Sequence, residues 1–317
     1  MGHRAAAMQL EILPYHDDLA PACAELLTES ARLDDTLLPI SLGDWRAFVA
    51  RSFNSAGRDF ALAREEGCPV AVLMSARYEE HGAPLRNLRV IVHPHHRGRG
   101  IARRLMDYAE AQDPAQDVTR QASTMGTWEV ADGLLRRRGF AVTTTSLWMQ
   151  LDAASPDPHP PEGVRLRPAR DAAADDEAWC RVHNEAYAND PDFTPLTLED
   201  CRAHRSETRF HLWLAERAGE VVGLCNTEEL GGVSHVNSLA CARAERGRGT
   251  GRALLLSGLH TLRAEDAGPV RLNVLAENAP AVGLYASVGF RETDRILTWR
   301  RAAANDSSAP VRVDPVE

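Results

Sequence analysis

The chain has 317 residues, 44% of them hydrophobic and 26% charged, with a formal net charge of −9; the length predicts two domains, each burying its own core, and the mix excludes a disordered or fibrous protein. The acidic balance disfavours nonspecific nucleic-acid binding, and a sequence without a single lysine excludes both a phosphate-loop lysine and a Schiff-base lysine. No apolar run approaches a membrane span, the opening MGHRAAAMQLEILP lacks an apolar signal core, and the six cysteines (Cys23, Cys68, Cys180, Cys201, Cys225, Cys241) form no CxxC pair, so the expectation is a cytoplasmic protein in a reducing compartment, without membrane partner, disulfide framework or metal.

In chain order, an opening strand in MQLEILP leads to a helix in DDLAPACAELLTESA. A later strand, LRVIV, runs into VHPHHRGRGIA (Val92 to Ala102) and the amphipathic stretch RRLMDYAEA. The half closes with Gly139-Phe140 and a strand in SLWMQL. Residues 152–162, DAASPDPHPPE, have no apolar periodicity and read as a linker. The series then repeats: strand VRLRPA, helix DAAADDEAWCRVHNEAY, strand VNSLA, loop CARAERGRGTG (Cys241 to Gly251), helix RALLLSGLHTLRA, Gly289-Phe290 and strand ILTWRR. The expected division is 1–151, linker 152–162, 163–301 and a frayed tail 302–317. Alternating strands and helices predict an α/β fold (α+β by some schemes), a mixed sheet with helices on its faces in each half. Trp148 and Trp299, in the closing strands, are expected to pack.

Both halves carry Arg-x-x-Gly-x-Gly/Ala between a strand and a helix: Arg97, Gly100 and Ala102, then Arg246, Gly249 and Gly251. Small residues let the backbone approach a phosphate closely, and a helix N-terminus favours its charge, so a pyrophosphate is the expected ligand. A dinucleotide fingerprint would sit in the first strand-helix turn, whereas these loops follow the fourth strand of each half. An RNA-binding arginine-glycine segment would be longer. The three histidines His93, His95 and His96 beside the first loop lack carboxylate or thiolate partners nearby in sequence, against a metal site.

The repeated loops resemble those of the GNAT superfamily of acetyl-CoA-dependent N-acetyltransferases, and the tandem arrangement with GLHTLRAEDAGPVRLNVLAENAPAVGLYASVGF is most similar to the mycothiol synthase group. The resemblance implies two tandem domains with mixed, mostly antiparallel sheets, acetyl-CoA as cosubstrate, no metal, and a small-molecule amine as acceptor, in a monomer or homodimer. It implies cofactor contacts from Leu239, Ala240, Cys241, Arg246, Gly247, Arg248, Gly249, Thr250, Gly251, Arg252 and Asn278, and in the first half from Val92, Arg97, Gly98, Arg99, Gly100, Ile101 and Ala102. The family's general acid falls on Tyr285; Asn278, seven residues earlier, is expected on the same helix, two turns away, facing the same groove. A glutamate base in the family corresponds, counting back from Cys241, to His235, with Glu228 as its competitor. His235, Asn237, Leu239 and Cys241 are expected on one strand face.

Counted outward from Gly139 and Gly289, the first half has Leu135 for Tyr285 and Trp128 for Asn278, and Arg86 stands for His235. Chemistry is therefore expected in the second half, with the first degenerate. Cys241 is expected to lend only its backbone, so transfer is direct. Departures from the mycothiol synthase pattern concentrate at acceptor contacts: Glu228 for a lysine, His235 for the glutamate, Asn273 for a tyrosine, and Asp190-Pro191-Asp192-Phe193 for an HPEQG-like segment. Asp35, with Pro39, matches a substrate-facing segment, and Glu229 beside Glu228 suits a cationic amine. The expected activity is acetyl transfer to a primary amine; mycothiol synthesis proper and a non-catalytic acetyl-CoA sensor or scaffold are the alternatives.

Overall fold

A computed structural model describes residues 10–34, 36–37, 39–50, 54–80, 83–112, 118–152, 155–188, 190, 193, 195–205, 210–230, 233–265 and 268–303. The first half runs β1 (Leu10–Pro14), α1 (Ala20–Leu33), α2 (Leu42–Val49), α3 (Ala56–Asp59), β2 (Phe60–Glu65), β3 (Cys68–Glu80), β4 (Ala83–Val92), α4 (Ile101–Gln112), β5 (Thr119–Met125), α5 (Glu129–Arg137) and β6 (Ala141–Leu151). The second half runs β7 (Val164–Pro168), α6 (Ala173–Tyr187), α7 (Leu198–Arg205), β8 (His211–Arg217), β9 (Glu220–Leu230), β10 (Val233–Cys241), α8 (Thr250–Ala264), β11 (Val270–Leu275), α9 (Ala279–Val288) and β12 (Arg291–Arg301). Among the described residues no helix is long and apolar enough to cross a membrane.

The chain divides into two compact units, residues 1–144 with 296–317, and residues 145–295. In the first, β1 to β4 pair antiparallel in sequence order, β5 joins β4 in parallel, and Ile296–Arg301 of β12 pairs antiparallel with β5. In the second, β7 to β10 pair antiparallel, β11 joins β10 in parallel, and Ser146–Leu151 of β6 pairs antiparallel with β11. Each sheet is thus mixed and mostly antiparallel, with helices on its faces. The closing strands are exchanged: each half's last strand completes the other unit, which differs from a division along the chain at 151 and 163.

Core packing explains the exchange. Trp299 is fully buried in the first unit's core with Leu105, Ala122, Leu135 and Phe140, its indole N–H donating to Thr124 at 2.8 Å and the Arg136 guanidinium lying 4.9 Å over its ring. Leu147, Met149 and Leu151 of β6 instead enter the second unit's core beside Leu254, Leu259, Leu272 and Phe290. In that unit α8 lies very close to the sheet. A Cβ on Gly223 would come within 2.9 Å of Leu254 and 3.1 Å of the Ala240 carbonyl, and one on Gly258 within 3.0 Å of Thr227, so glycine is what permits the approach.

Candidate active site

In the second unit β10 and β11 pair only at Ser234 with Val270 and His235 with Arg271. Among the described residues, β10 continues beyond His235 beside β9 alone, with no strand paired to its other edge. A bulge between Val236 and Ser238 interrupts the β9 ladder, leaving Asn237 exposed and unpaired in register. Asn226 holds the bulge: its side-chain oxygen accepts from the Ser238 backbone N–H and the Ser238 hydroxyl, both at 2.6 Å.

The bulge corrects two expectations. An extra residue reverses the alternation, so His235 shares a face with Glu228, Asn226, Ser238 and Ala240, whereas Leu239 and Cys241 share the opposite face with Cys225 and Gly223. His235, Asn237, Leu239 and Cys241 therefore do not lie on one face. The first unit has no such bulge, since β3 and β4 pair without a shift from Ala71 with Val92 to Glu80 with Ala83. By pairing, Arg86 opposite Arg120 matches Ser234 opposite Val270, and His235 is matched by Asn87 rather than Arg86.

The loop after β10 is shaped by glycines at positive φ, Gly247 at 73° and Gly249 at 88°, and Gly249 caps the N-terminus of α8. Glu245, 4% exposed, ties this loop down through Arg217 at 2.7 Å and the Thr250 hydroxyl at 3.0 Å; the Arg217 hydrogen bond, outweighing burial, holds its carboxyl below the usual carboxylate value. Arg246 donates to the Cys241 carbonyl at 3.4 Å, Arg248 is exposed, and Arg252 bridges to the Ser287 hydroxyl at 2.8 Å. The first loop repeats the plan: Gly98 and Gly100 lie at φ 78°, and Arg97 donates to the Val92 carbonyl at 3.2 Å. There, however, Arg97 also pairs with Asp34 at 2.6 Å, and Glu65 takes His96 at 3.0 Å and Arg99 at 2.9 Å.

On one sheet face His235 and Glu228 are opposite each other in register and both are buried. Burial, with Arg271 adding to it, pushes the His235 imidazole down to about 4, so it is neutral at physiological pH. Its Nε2 is buried with no hydrogen-bond partner among the described residues, and its ring centre lies 5.9 Å from that of Trp148. Asn273, exposed on β11, is opposite Trp148 in register and joins this polar face. Glu229, the neighbour of Glu228 along the strand, points to the other face, so the two glutamates form no joint anionic patch. Asp35, Pro191 and Asp192 lie outside the described residues.

Tyr285 comes from the opposite face. It is buried on α9 among Val236, Leu254, Leu272 and Phe290, with the Phe290 ring 5.9 Å away edge-on. Burial foremost, then nearby Tyr187 and Cys225, raises its phenol well above the ordinary tyrosine value, so it stays protonated. Asn278 is not on the same helix: it is the residue preceding α9, exposed, and its side-chain oxygen accepts from the Ala281 N–H at 3.3 Å. Burial pushes the Cys241 thiol up to about 11, which makes it a poor nucleophile.

Tyr187, the last residue of α6, had no motif to mark it. Its hydroxyl lies 3.2 Å from both the backbone nitrogen and the carbonyl oxygen of Leu239, on the open edge of β10. The only hint was the apolar spacing of α6, which reads equally well as a packing tyrosine.

The first unit lacks these groups. Leu135 is buried where α9 carries Tyr285, and Trp128 precedes α5 without a side-chain capping bond. Asn87 stands where β10 carries His235, and its neighbour Arg86, 1% exposed on the other face, donates to Asp59 at 3.0 Å and to the Ser75 hydroxyl at 2.9 Å.

The family model described as acetyltransferase (GNAT) family matches residues 173–290, and that of a GNAT acetyltransferase domain matches residues 56–142. The chain is 35% identical over 229 residues to a mycothiol acetyltransferase of Thermobispora bispora, covering 67% of this chain and 75% of the relative. It is 29% identical over 287 residues to one of Catenulispora acidiphila, covering 86% and 87%. A GCN5-related N-acetyltransferase from Sphaerobacter thermophilus has a TM-score of 0.72 at 22% identity, with 92% of this chain and 95% of that one covered. A tandem GNAT protein from the clavulanic acid biosynthesis pathway has a TM-score of 0.75 at 19% identity, covering 94% and 100%. At such identities it is the fold that is shared.

Proposed function

Since this chain belongs to the GNAT family of N-acetyltransferases, we propose that its second unit moves an acetyl group from acetyl-CoA to a primary amine of a small molecule, by direct transfer in a ternary complex. The observation that carries the reading is the open edge of β10, which runs from buried His235 to a glycine-turned loop at the start of α8. That edge offers backbone amides to a thioester and pantetheine, and the loop offers amides and a helix N-terminus to a pyrophosphate. Gly247 and Gly249 keep the loop backbone accessible, and a Cβ on Gly247 would meet nothing within 4 Å, so the loop has room for phosphate oxygens.

Acetyl-CoA supplies an activated thioester. The amine nitrogen bonds to its carbonyl carbon, and backbone amides of β10 stabilise the oxygen that becomes negative. His235, neutral and with Nε2 unpartnered among the described residues, takes the proton that the nitrogen then sheds, with Glu228 beside it as relay. As the carbon-sulfur bond breaks, Tyr285 gives its proton to the departing thiolate. The high thiol pKa of Cys241 supports direct transfer over an acyl-enzyme. The first unit, with Leu135, Trp128 and Asn87 at the positions of Tyr285, Asn278 and His235, serves a structural role.

The relatives' names favour a second reading, acetylation of the mycothiol precursor itself. Buried Glu228 and His235, with exposed Asn273 on the same face, favour another amine, because a site that reads its acceptor through polar contacts does not exchange several of them and keep it. The test is thiol release from acetyl-CoA with aminoglycosides, polyamines, amino acids and the mycothiol precursor. Turnover with an amine other than that precursor is expected. Turnover with the precursor alone establishes the second reading, and acetyl-CoA binding without release for any amine overturns both.

A further inference from the structure

The Tyr187 hydroxyl touches two atoms of one residue, the Leu239 N–H and the Leu239 carbonyl, each at 3.2 Å. A phenol has one proton and can accept from the first while donating to the second. Both contacts sit at the long end of the hydrogen-bond range, so both are weak and exchangeable. Leu239 lies just past the bulge, where β10 has left β11, so its amide is one that an incoming acceptor can use. Cys241, two residues on, presents its backbone to the same edge nearer the loop, where its carbonyl already takes Arg246.

The His183 ring lies 4.7 Å from the Tyr187 ring and fixes its plane, while burial pushes the phenol up to about 12, so the hydroxyl stays neutral. Tyr187 and Tyr285 are close enough for a charge on either to disfavour one on the other. We infer that Tyr187 is a positioning residue: its hydroxyl occupies the Leu239 amide in the free protein and is displaced from it by the acyl carbonyl, which is thereby set beside Tyr285. This rests on the acetyl-CoA reading above. A thioester carbonyl accepts but cannot donate, so it takes the Leu239 N–H while the phenol keeps its bond to the Leu239 carbonyl.

Calorimetry on the full chain with three ligands tests this: acetyl-CoA, free CoA and S-ethyl-CoA, a thioether of acetyl-like size without the carbonyl. Tyr187→Phe keeps the ring beside His183 and removes the hydroxyl: the bond to the Leu239 carbonyl is lost in the free and bound states alike, whereas the competitor for the Leu239 N–H is lost in the free state alone. Its Kd for acetyl-CoA is expected to fall about three- to tenfold, with those for CoA and S-ethyl-CoA unchanged within about twofold. An equal shift for all three ligands means a packing role and overturns the inference, as does no shift for acetyl-CoA. A wild-type chain that binds none of them overturns the acetyl-CoA reading itself. Should Tyr187→Phe fold poorly, Tyr187→Trp, which keeps a ring but not the phenol hydroxyl, is measured with the same three ligands, and the carbonyl-specific difference remains the readout.

Discussion

In the proposed reaction Tyr285 and His235 take opposite proton roles, and burial is the largest cause of the shift that suits each to its role. Burial raises the Tyr285 phenol, keeping it a donor, and lowers the His235 imidazole to about 4, keeping it an acceptor. Tyr285→Phe is expected to lower kcat by about 10²- to 10⁴-fold with acetyl-CoA affinity retained, measured by steady-state thiol release and calorimetry. For His235 the acid limb of kcat/KM is expected near pH 4 rather than near 6.5, and to vanish in His235→Ala; a limb that persists there assigns it to another group. The same shift acts on stability. Between its unfolded value of 6.5 and the folded value of about 4, the unfolded chain binds the proton and the folded chain does not. The contribution is complete above pH 6.5 and is lost as pH falls through 4, amounting to about 3 kcal/mol. Denaturant midpoints of His235→Gln should therefore fall less steeply with acid than those of the wild-type chain.

The element that aims the site is the bulge in β10, and it depends on Asn226. Asn226→Ala would leave the buried Ser238 N–H and hydroxyl without their acceptor, at a cost of about 1–3 kcal/mol, and let β10 relax toward the regular ladder of β3 and β4. A lowered Tm together with weaker acetyl-CoA binding is expected, whereas Asn226→Asp, which keeps the acceptor oxygen, should restore much of both. The bulge also marks where sequence reading stops. Arg-x-x-Gly-x-Gly announced the loops, because phosphate binding demands small residues at fixed offsets, and the Gly-Phe pairs placed Tyr285 opposite Leu135. Nothing in VSHVNSLAC marks an inserted residue, so counting in twos put His235 on the wrong face relative to Leu239 and matched it to Arg86. Asn278 is a related case: seven residues is two turns only if both lie in the helix, and an asparagine three residues before a free N–H is better placed as its cap. Tyr187 was invisible because its partner is backbone, contributed from 52 residues away.

The exchange of closing strands has the largest consequence for the molecule. SLWMQL and ILTWRR are both short segments with a central tryptophan among apolar residues, so either can line the same kind of sheet edge, and a linear reading assigned each to its own half. Burial decides otherwise: Trp299 enters the first unit's core and Leu147, Met149 and Leu151 enter the second's. A fragment spanning 163–301 would lack the β6 partner of β11, exposing the edge from Val270 to Leu275 and the apolar side chains that β6 covers. A fragment spanning 145–295 keeps every strand of the second unit. The second is expected to unfold cooperatively and to retain acetyl-CoA binding, and the first to aggregate or melt without a transition, by thermal denaturation and light scattering. Truncating the full chain after Arg295 makes the reciprocal prediction, removing Trp299 with its bond to Thr124 and uncovering β5, so that the first unit loses cooperative unfolding. Equal behaviour of the two fragments would mean that β6 adds little to the second sheet, and that the closing strands are exchanged without energetic consequence.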